Sequence, residues 1–305
     1  RWCGRTAGNY ISPPPTRWAV MICFFSSDLH GSISRCEKLF HLIEERCPKA
    51  VFLGGDLLPG VIRSLAGGPQ GGDFLHGFLA AGFRELRESM GDEYPEVFLI
   101  LGNDDGREPE VELKELDREG LWHYMHGRKL DFSDYTVIGY SFVPPTPFRL
   151  KDWEKYDVSR YVDPGCVHPG EGMRTVPATD YEVKYSTIRE DLKTLTDGVN
   201  MDRTIMLFHS PPYDTVLDRA ALDGKKVDHA PLDVHVGSIA IRRFIRDRQP
   251  LLTLHGHVHE SARLTGKWMQ RMGATVMLGG AHHGPELSLI TFDPSNAAEP
   301  FRELL

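Results

Sequence analysis

Five polar clusters in this 305-residue chain combine carboxylates, imidazoles and one carboxamide, and each follows an apolar run. They are Asp28-Leu29-His30, Gly54-Gly55-Asp56, Gly102-Asn103-Asp104-Asp105, His209-Ser210 and His255-Gly256-His257-Val258-His259. Taken singly each is ordinary: an Asp-x-His triplet usually marks a helix cap with a surface histidine, and Gly-Gly-Asp a turn. In extended backbone, however, residues i and i+2 point to the same side, so Asp28 and His30 can face one cation just past a strand end. The summed set of Asp28, His30, Asp56, Asn103, His209, His257 and His259 mixes oxygen and imidazole donors. Such a mixture suits Mn, Fe, Zn or Co better than Ca or Mg, and it is large enough for two ions.

The elements that must position these residues are readable from periodicity. Phe24-Phe25, Ala50–Leu53, Val97–Leu101, Thr204–Phe208 and Leu251–Leu254 are short apolar strands that deliver the five clusters at their C-terminal ends, where open α/β sheets place ligands. Between the first two strands, Cys36, Leu39, Phe40, Ile43 and Cys47 recur at helical spacing, with Ser34 and Glu37 predicted as a capping box and Pro48 as the stop. Phe74–Met90, Glu108–Glu119, Ser186–Thr196 and Ile239–Arg248 are further predicted helices. Gly67–Gly72 is expected to be a flexible linker, since it lacks the Gly-Lys-Ser/Thr ending of a phosphate-binding loop. Two or three short strands fit Leu121–Tyr140, and Thr275–Leu278 and Glu286–Phe292 complete a sheet-rich end.

Composition narrows the function classes. Hydrophobic residues make up 41% of the chain, ample for a sizeable core, and the net charge of −8 argues against broad attachment to nucleic acid or anionic lipid. No apolar run approaches the roughly 18 residues needed to span a bilayer. Five scattered cysteines without a C-x-x-C pair fit a reducing, cytoplasmic setting. Residues 1–18, with Pro13-Pro14-Pro15, read as an extended arm or expression remnant, with Arg17–Val20 as an alternative lengthening of the first strand. From 141 to 185 prolines and aromatics alternate, as in a substrate lid or an interaction surface.

The ordered series Asp-x-His, Gly-Gly-Asp, Gly-Asn-Asp, His-Ser and Gly-His-Val-His, spread over residues 19–292, resembles the calcineurin-like metallophosphoesterases. The resemblance implies an α/β chain (α+β by some schemes) forming a four-layer αββα sandwich of the metallo-dependent phosphatase type. Residues 19–305 would be one domain, with 141–185 as a lid-like insertion. It further implies two divalent ions, Mn2+ foremost with Fe, Zn, Ni or Co as alternatives. Asp28, His30 and His259 would hold the first, Asn103, His209 and His257 the second, and Asp56 would bridge them. Two cations about 3.5–4 Å apart clamp phosphoryl oxygens and acidify a bridging water, so that hydroxide attacks in line. Neutral Asn103 would limit the negative charge where an anion must bind.

One motif departs from the family pattern. The commonest third motif is Gly-Asn-His, whose histidine is thought to assist the leaving group, whereas this chain carries Asp104. Asp104 is therefore expected either as that acid or as a partner orienting a metal-ligating imidazole. His255 is expected to be structural, as are His76, His123 and His126, while His282 and His283 would lie near the pocket and His283, with Asn103, would contact substrate. Thr146-Pro147-Phe148, His209-Ser210-Pro211-Pro212-Tyr213 and His235-Val236-Gly237-Ser238 look like the bacterial and archaeal cytoplasmic phosphoesterases related to cyclic-nucleotide phosphodiesterases. Gly237-Ser238 could offer backbone donors to an anion or serve as an ordinary helix cap. The implied activity is hydrolysis of a small phosphorylated molecule, as a phosphodiesterase or phosphomonoesterase. A nuclease and a non-catalytic metal-binding scaffold are the alternatives, and the oligomeric state, a homo-oligomer included, stays open.

Overall fold

The structure, a computed structural model, describes residues 21–61 and 71–305. The expected arm at 1–18, the strand extension at Arg17–Val20 and most of the Gly67–Gly72 linker lie outside the described residues. Gly71 and Gly72 themselves are helical, opening a segment that runs from Gly71–Phe74 through a π-helical stretch, Leu75–Ala80, into the helix Ala81–Met90.

Fourteen strands among the described residues are numbered in chain order. The first six are β1 (Cys23–Ser26), β2 (Ala50–Gly54), β3 (Glu96–Ile100), β4 (His123–Tyr124), β5 (Arg128–Phe132) and β6 (Tyr135–Tyr140). Next come β7 (Thr204–Phe208), a small hairpin of β8 (Lys226–Val227) and β9 (Ala230–Pro231), β10 (Leu252–His255) and β11 (Met269–Met272). The last are β12 (Thr275–Gly279), β13 (Ser288–Phe292) and β14 (Phe301–Leu304). Apart from the hairpin they form two six-stranded sheets, ordered β14-β13-β1-β2-β3-β4 and β11-β12-β10-β7-β6-β5. In the first sheet β1 to β4 run parallel, with β13 and β14 antiparallel at one edge; in the second β12, β10, β7 and β6 run parallel between antiparallel edges.

Alternation along each central strand explains the four layers. Phe25, Phe52, Phe98, Ile100, Ile205 and Leu207 pack together in the core between the sheets, which holds one face of every central strand. Their neighbours Phe24, Val51, Leu99, Met206 and Phe208 belong to a second core shared with helix residues such as Leu39, Ile43, Phe83, Ile241 and Phe244. Strands buried on both faces read as continuous apolar runs, which is why the sequence located them. Two mostly parallel sheets face to face, with helices outside, make the αββα sandwich.

The helix Ile33–Arg46 starts earlier than expected. Ser32, with extended backbone, is its N-cap and accepts from Arg35 N, so the predicted Ser34/Glu37 box is not the cap used. The segment expected to be lid-like is divided. Residues 142–157 are largely buried, with Trp153 and Lys151 wholly so, and Glu154 takes hydrogen bonds from Thr146 N at 2.7 Å and from Lys151. Asp152 accepts from Arg107 N at 2.9 Å, so this stretch braces the loop that follows β3. Tyr161 and Met173, further on, are exposed. The four described cysteines are free. Among the described residues no helix is long and apolar enough to cross a membrane.

Candidate metal centre

The C-terminal ends of β1, β2, β3, β7 and β10 bring the five clusters to one place. Backbone pairing continues past the strands: Asp28 N donates to Gly55 O at 2.9 Å, and His30 N to Asp56 O at 2.8 Å. Across the other sheet Gly256 N donates to His209 O at 2.9 Å. These contacts fix the donor residues before any side chain is considered.

Asp28, His30, Asp56 and His259 each present one donor atom, and these atoms lie within 4.8 Å of one another. His259 Nε2 is 3.1 Å from Asp28 Oδ1 and 3.0 Å from His30 Nε2. Two imidazole nitrogens this close, beside buried carboxylates, either share a proton or turn two lone pairs toward one point where a cation would fit. The second group joins on at Asp56, whose Oδ2 is 3.3 Å from His209 Nε2. His209 Nε2 is also 3.1 Å from Asn103 Oδ1, while its Nδ1 donates to Gly54 O at 2.8 Å. Because a carbonyl only accepts, Nδ1 carries the proton and Nε2 of the neutral ring is left to bind a ligand. His257 packs its ring edge-on to His209, centroids 5.2 Å apart, and its backbone N donates to Asp28 Oδ1 at 3.0 Å.

The local backbone is bent to hold this set. Asp28, His30, Asp56 and His257 have φ of 59°, 49°, 51° and 75°, a left-handed conformation that costs non-glycine residues of order 1–3 kcal/mol each and persists where surroundings enforce it. Gly55 lies at φ 94°, and a Cβ there would stand 2.6 Å from His209 Nδ1, so only glycine lets the two sheets approach here.

The adjacent carboxylates Asp104 and Asp105 do different work. Asp105 is fully buried and accepts from Leu57 N (3.1 Å), Leu58 N (2.8 Å) and Gly102 N (2.9 Å), tying the loops after β2 and β3 together. Burial, then the nearby Asp56 charge, push its carboxyl up to about 7. Asp104 Oδ2 instead lies 3.2 Å from His30 Nδ1, and Asp104 N donates to Asp56 Oδ1 at 2.8 Å. The first contact orients the His30 ring so that Nε2 faces the other donors. Asp105 has no signal in the sequence that separates it from its neighbour.

Electrostatics reports a site that attracts positive charge. Burial alone would raise the Asp28 carboxyl, but the His259 hydrogen bond and the His259 and His209 imidazoles outweigh it and hold it at about 2. Asp56 falls well below the carboxylate range, burial again being outweighed by His209 and His30. Burial would lower His209 and His30, yet Asp56 beside the first and Asp104 and Asp56 beside the second push both up to about 9. His257, desolvated and near the His209 charge, drops to about 4. A field that draws protons onto imidazoles draws divalent cations by the same means. The mixed donors, their convergence and the glycine-made closeness therefore fit metal ions.

Other sequence candidates fall in distinct places. His255 is buried, bonded to Ser210 O at 2.9 Å and Thr253 Oγ1 at 2.7 Å, and stacked on Phe208. His126 is partly buried and packs against Trp153 and Phe142, His123 pairs with Glu96 at 2.6 Å and His76 with Glu112 at 3.0 Å, so all are engaged away from the site. His282 and His283 line a cleft of about 630 Å³ together with His30 and His259. The anion alternative for Gly237-Ser238 is corrected: Ser238 caps the helix Ile239–Arg248, and the Asp157 carboxylate already takes Ile239 N (2.7 Å) and Ala240 N (3.1 Å).

No curated protein matches the sequence. A crystal structure of a Thermus thermophilus protein shares the fold with a TM-score of 0.53 at 19% identity, covering 93% of this chain and 99% of that one. A second crystal structure has a TM-score of 0.55 at 13% identity over the same shares. At such identities the likeness is one of fold. The calcineurin-like phosphoesterase family matches residues 23–261, and the chain belongs to that family as a phosphoric ester hydrolase.

Proposed function

We propose that this calcineurin-like phosphoesterase hydrolyses a small phosphorylated molecule, as a phosphodiesterase or phosphomonoesterase, with two divalent cations. The observation supporting it is that Asp56, grouped with Asp28, His30 and His259 within 4.8 Å, also reaches His209 at 3.3 Å. Asp28, His30 and His259 would hold one ion, Asn103, His209 and His257 the other, with Asp56 shared. When bound, the pair would supply Lewis-acid charge to phosphoryl oxygens and to the attacking water. Manganese is the first assignment; Fe, Zn, Ni and Co suit the same donors.

The chain's own groups do the positioning. Gly54 O and Asp104 fix the two imidazoles whose Nε2 atoms face inward. The Asn103 carboxamide adds a donor without adding charge, which leaves room for an anion and lets its amide touch substrate. His283 would contact the substrate from the cleft, and the exposed part of 141–185 would cover it. A cytoplasmic setting is part of this proposal, supported by the scattered cysteines of the sequence, odd in number.

The test is hydrolysis of bis-p-nitrophenyl phosphate and p-nitrophenyl phosphate by Mn-loaded protein. Turnover of at least one ester by the natural sequence, lost on Asp56→Asn, is expected; equal, background rates in both proteins would sink the reading.

A further inference from the structure

The cleft beside the first donor group is built for more than metal. His30, His259, His282 and His283 line it together with the apolar Ile33 and Pro59. His282 Nε2 bonds to Glu286 Oε2 at 2.9 Å, which leaves Nδ1 as the ring nitrogen available to a ligand. Arg35 locks the loop that carries both imidazoles. Its guanidinium donates to Gly284 O, to Pro285 O at 3.4 Å and to Asp28 O at 2.7 Å, so one side chain fixes the loop against a donor residue.

A departing alkoxide needs a proton, and Asp104 is poorly placed to give one because its carboxylate accepts from His30 Nδ1 at 3.2 Å. The cleft also favours an uncharged group. Arg35 is turned to carbonyls rather than to a second anion, and Ile33, 54% exposed, offers an apolar surface.

Resting on the hydrolase reading above, we propose that this cleft receives the leaving group of the ester, an uncharged aliphatic or aromatic alcohol, and that His282, oriented by Glu286, protonates it. As the P–O bond breaks, its electron pair stays on the leaving oxygen, the Nδ1–H proton of the imidazolium passes to that oxygen, and the alcohol departs. Neutral His282 then regains a proton from solvent, and water supplies the hydroxyl that replaces the alcohol on phosphorus.

The experiment is a leaving-group series of p-nitrophenyl, phenyl and alkyl phosphate esters with Mn-loaded natural protein, His282→Ala and Glu286→Gln, alongside metal counts by mass spectrometry. For His282→Ala the loss should grow with leaving-group basicity, from under about tenfold on p-nitrophenyl to about 10²-fold or more on phenyl and alkyl esters. Glu286→Gln should show the same trend more weakly, and metal content should match the natural protein. An equal loss across the series, no loss, or depletion of metal in His282→Ala would overturn the assignment while leaving the hydrolase reading intact. Inertness of the natural protein toward every ester would overturn both.

Discussion

Asp56 Oδ2 stands 3.3 Å from His209 Nε2, a contact that joins the end of β2 in one sheet to the end of β7 in the other. Asp56 also lies 3.9 Å from His30 Nε2, so one carboxylate touches both groups of donors. In the proposed two-ion reading Asp56 is shared, and the donors on either side of it should each be removable without emptying the other side.

His30→Ala should weaken one metal selectively. Asn103, His209 and His257 remain, so one ion per chain should persist while affinity for the other falls by more than the about 10–100-fold typical of losing an outer partner. Titration with Mn2+ followed by calorimetry would resolve the two steps; parallel loss of both ions would contradict the division.

Asp104 separates orientation from acid chemistry. Asp104→Ala should reduce metal affinity about 10–100-fold, whereas Asp104→Asn, whose carbonyl oxygen can still accept from His30 Nδ1, should stay close to the natural protein. An Asn variant that binds metal like the natural protein yet hydrolyses esters as slowly as the Ala variant would restore Asp104 as an acid.

The pH dependence of the metal-free protein has a definite sign. His209 and His30 are raised to about 9 against an ordinary value near 6.5, so the folded state holds more protons than the unfolded one between those limits. Their contribution is fully present below about pH 6.5 and is lost as pH rises through about 9. Melting temperature without metal should therefore fall over that window, and affinity for Mn2+ should rise across it as protons cease to compete. A flat melting profile between pH 6.5 and 9 would refute this.

Asp157→Ala should act on stability alone. It removes the carboxylate bonded to Ile239 N, Ala240 N and, at 2.6 Å, Ser238 Oγ. A loss of about 1–2 kcal/mol is expected in urea unfolding, with metal content unchanged. Altered metal stoichiometry would tie this helix to the centre instead.

The central strands and the polar clusters that end them were legible because strands buried on both faces are unbroken apolar runs that stop abruptly at polar groups, whereas the layered sandwich was what the family resemblance implied. What escaped depends on contacts distant in sequence or on choices between neighbours. Asp157 caps a helix that begins 82 residues later, which periodicity cannot express. Ser32 and Ser34 flank the same helix start, and the extended backbone of Ser32, φ −75° and ψ 105°, decided between them. In Asp104-Asp105 only the fold turns one carboxylate outward to His30 and the other inward to three amides. The short edge strands β11 and β14, only partly buried, left no clear apolar signature.

The most direct measurement counts metal and rate together in the natural protein and in Asp56→Asn. The account predicts two Mn2+ per chain and ester hydrolysis for the first, and for the second fewer than one ion with a rate lower by about 10³-fold, or about 4 kcal/mol. Equal metal content and equal rates in the two proteins would contradict it.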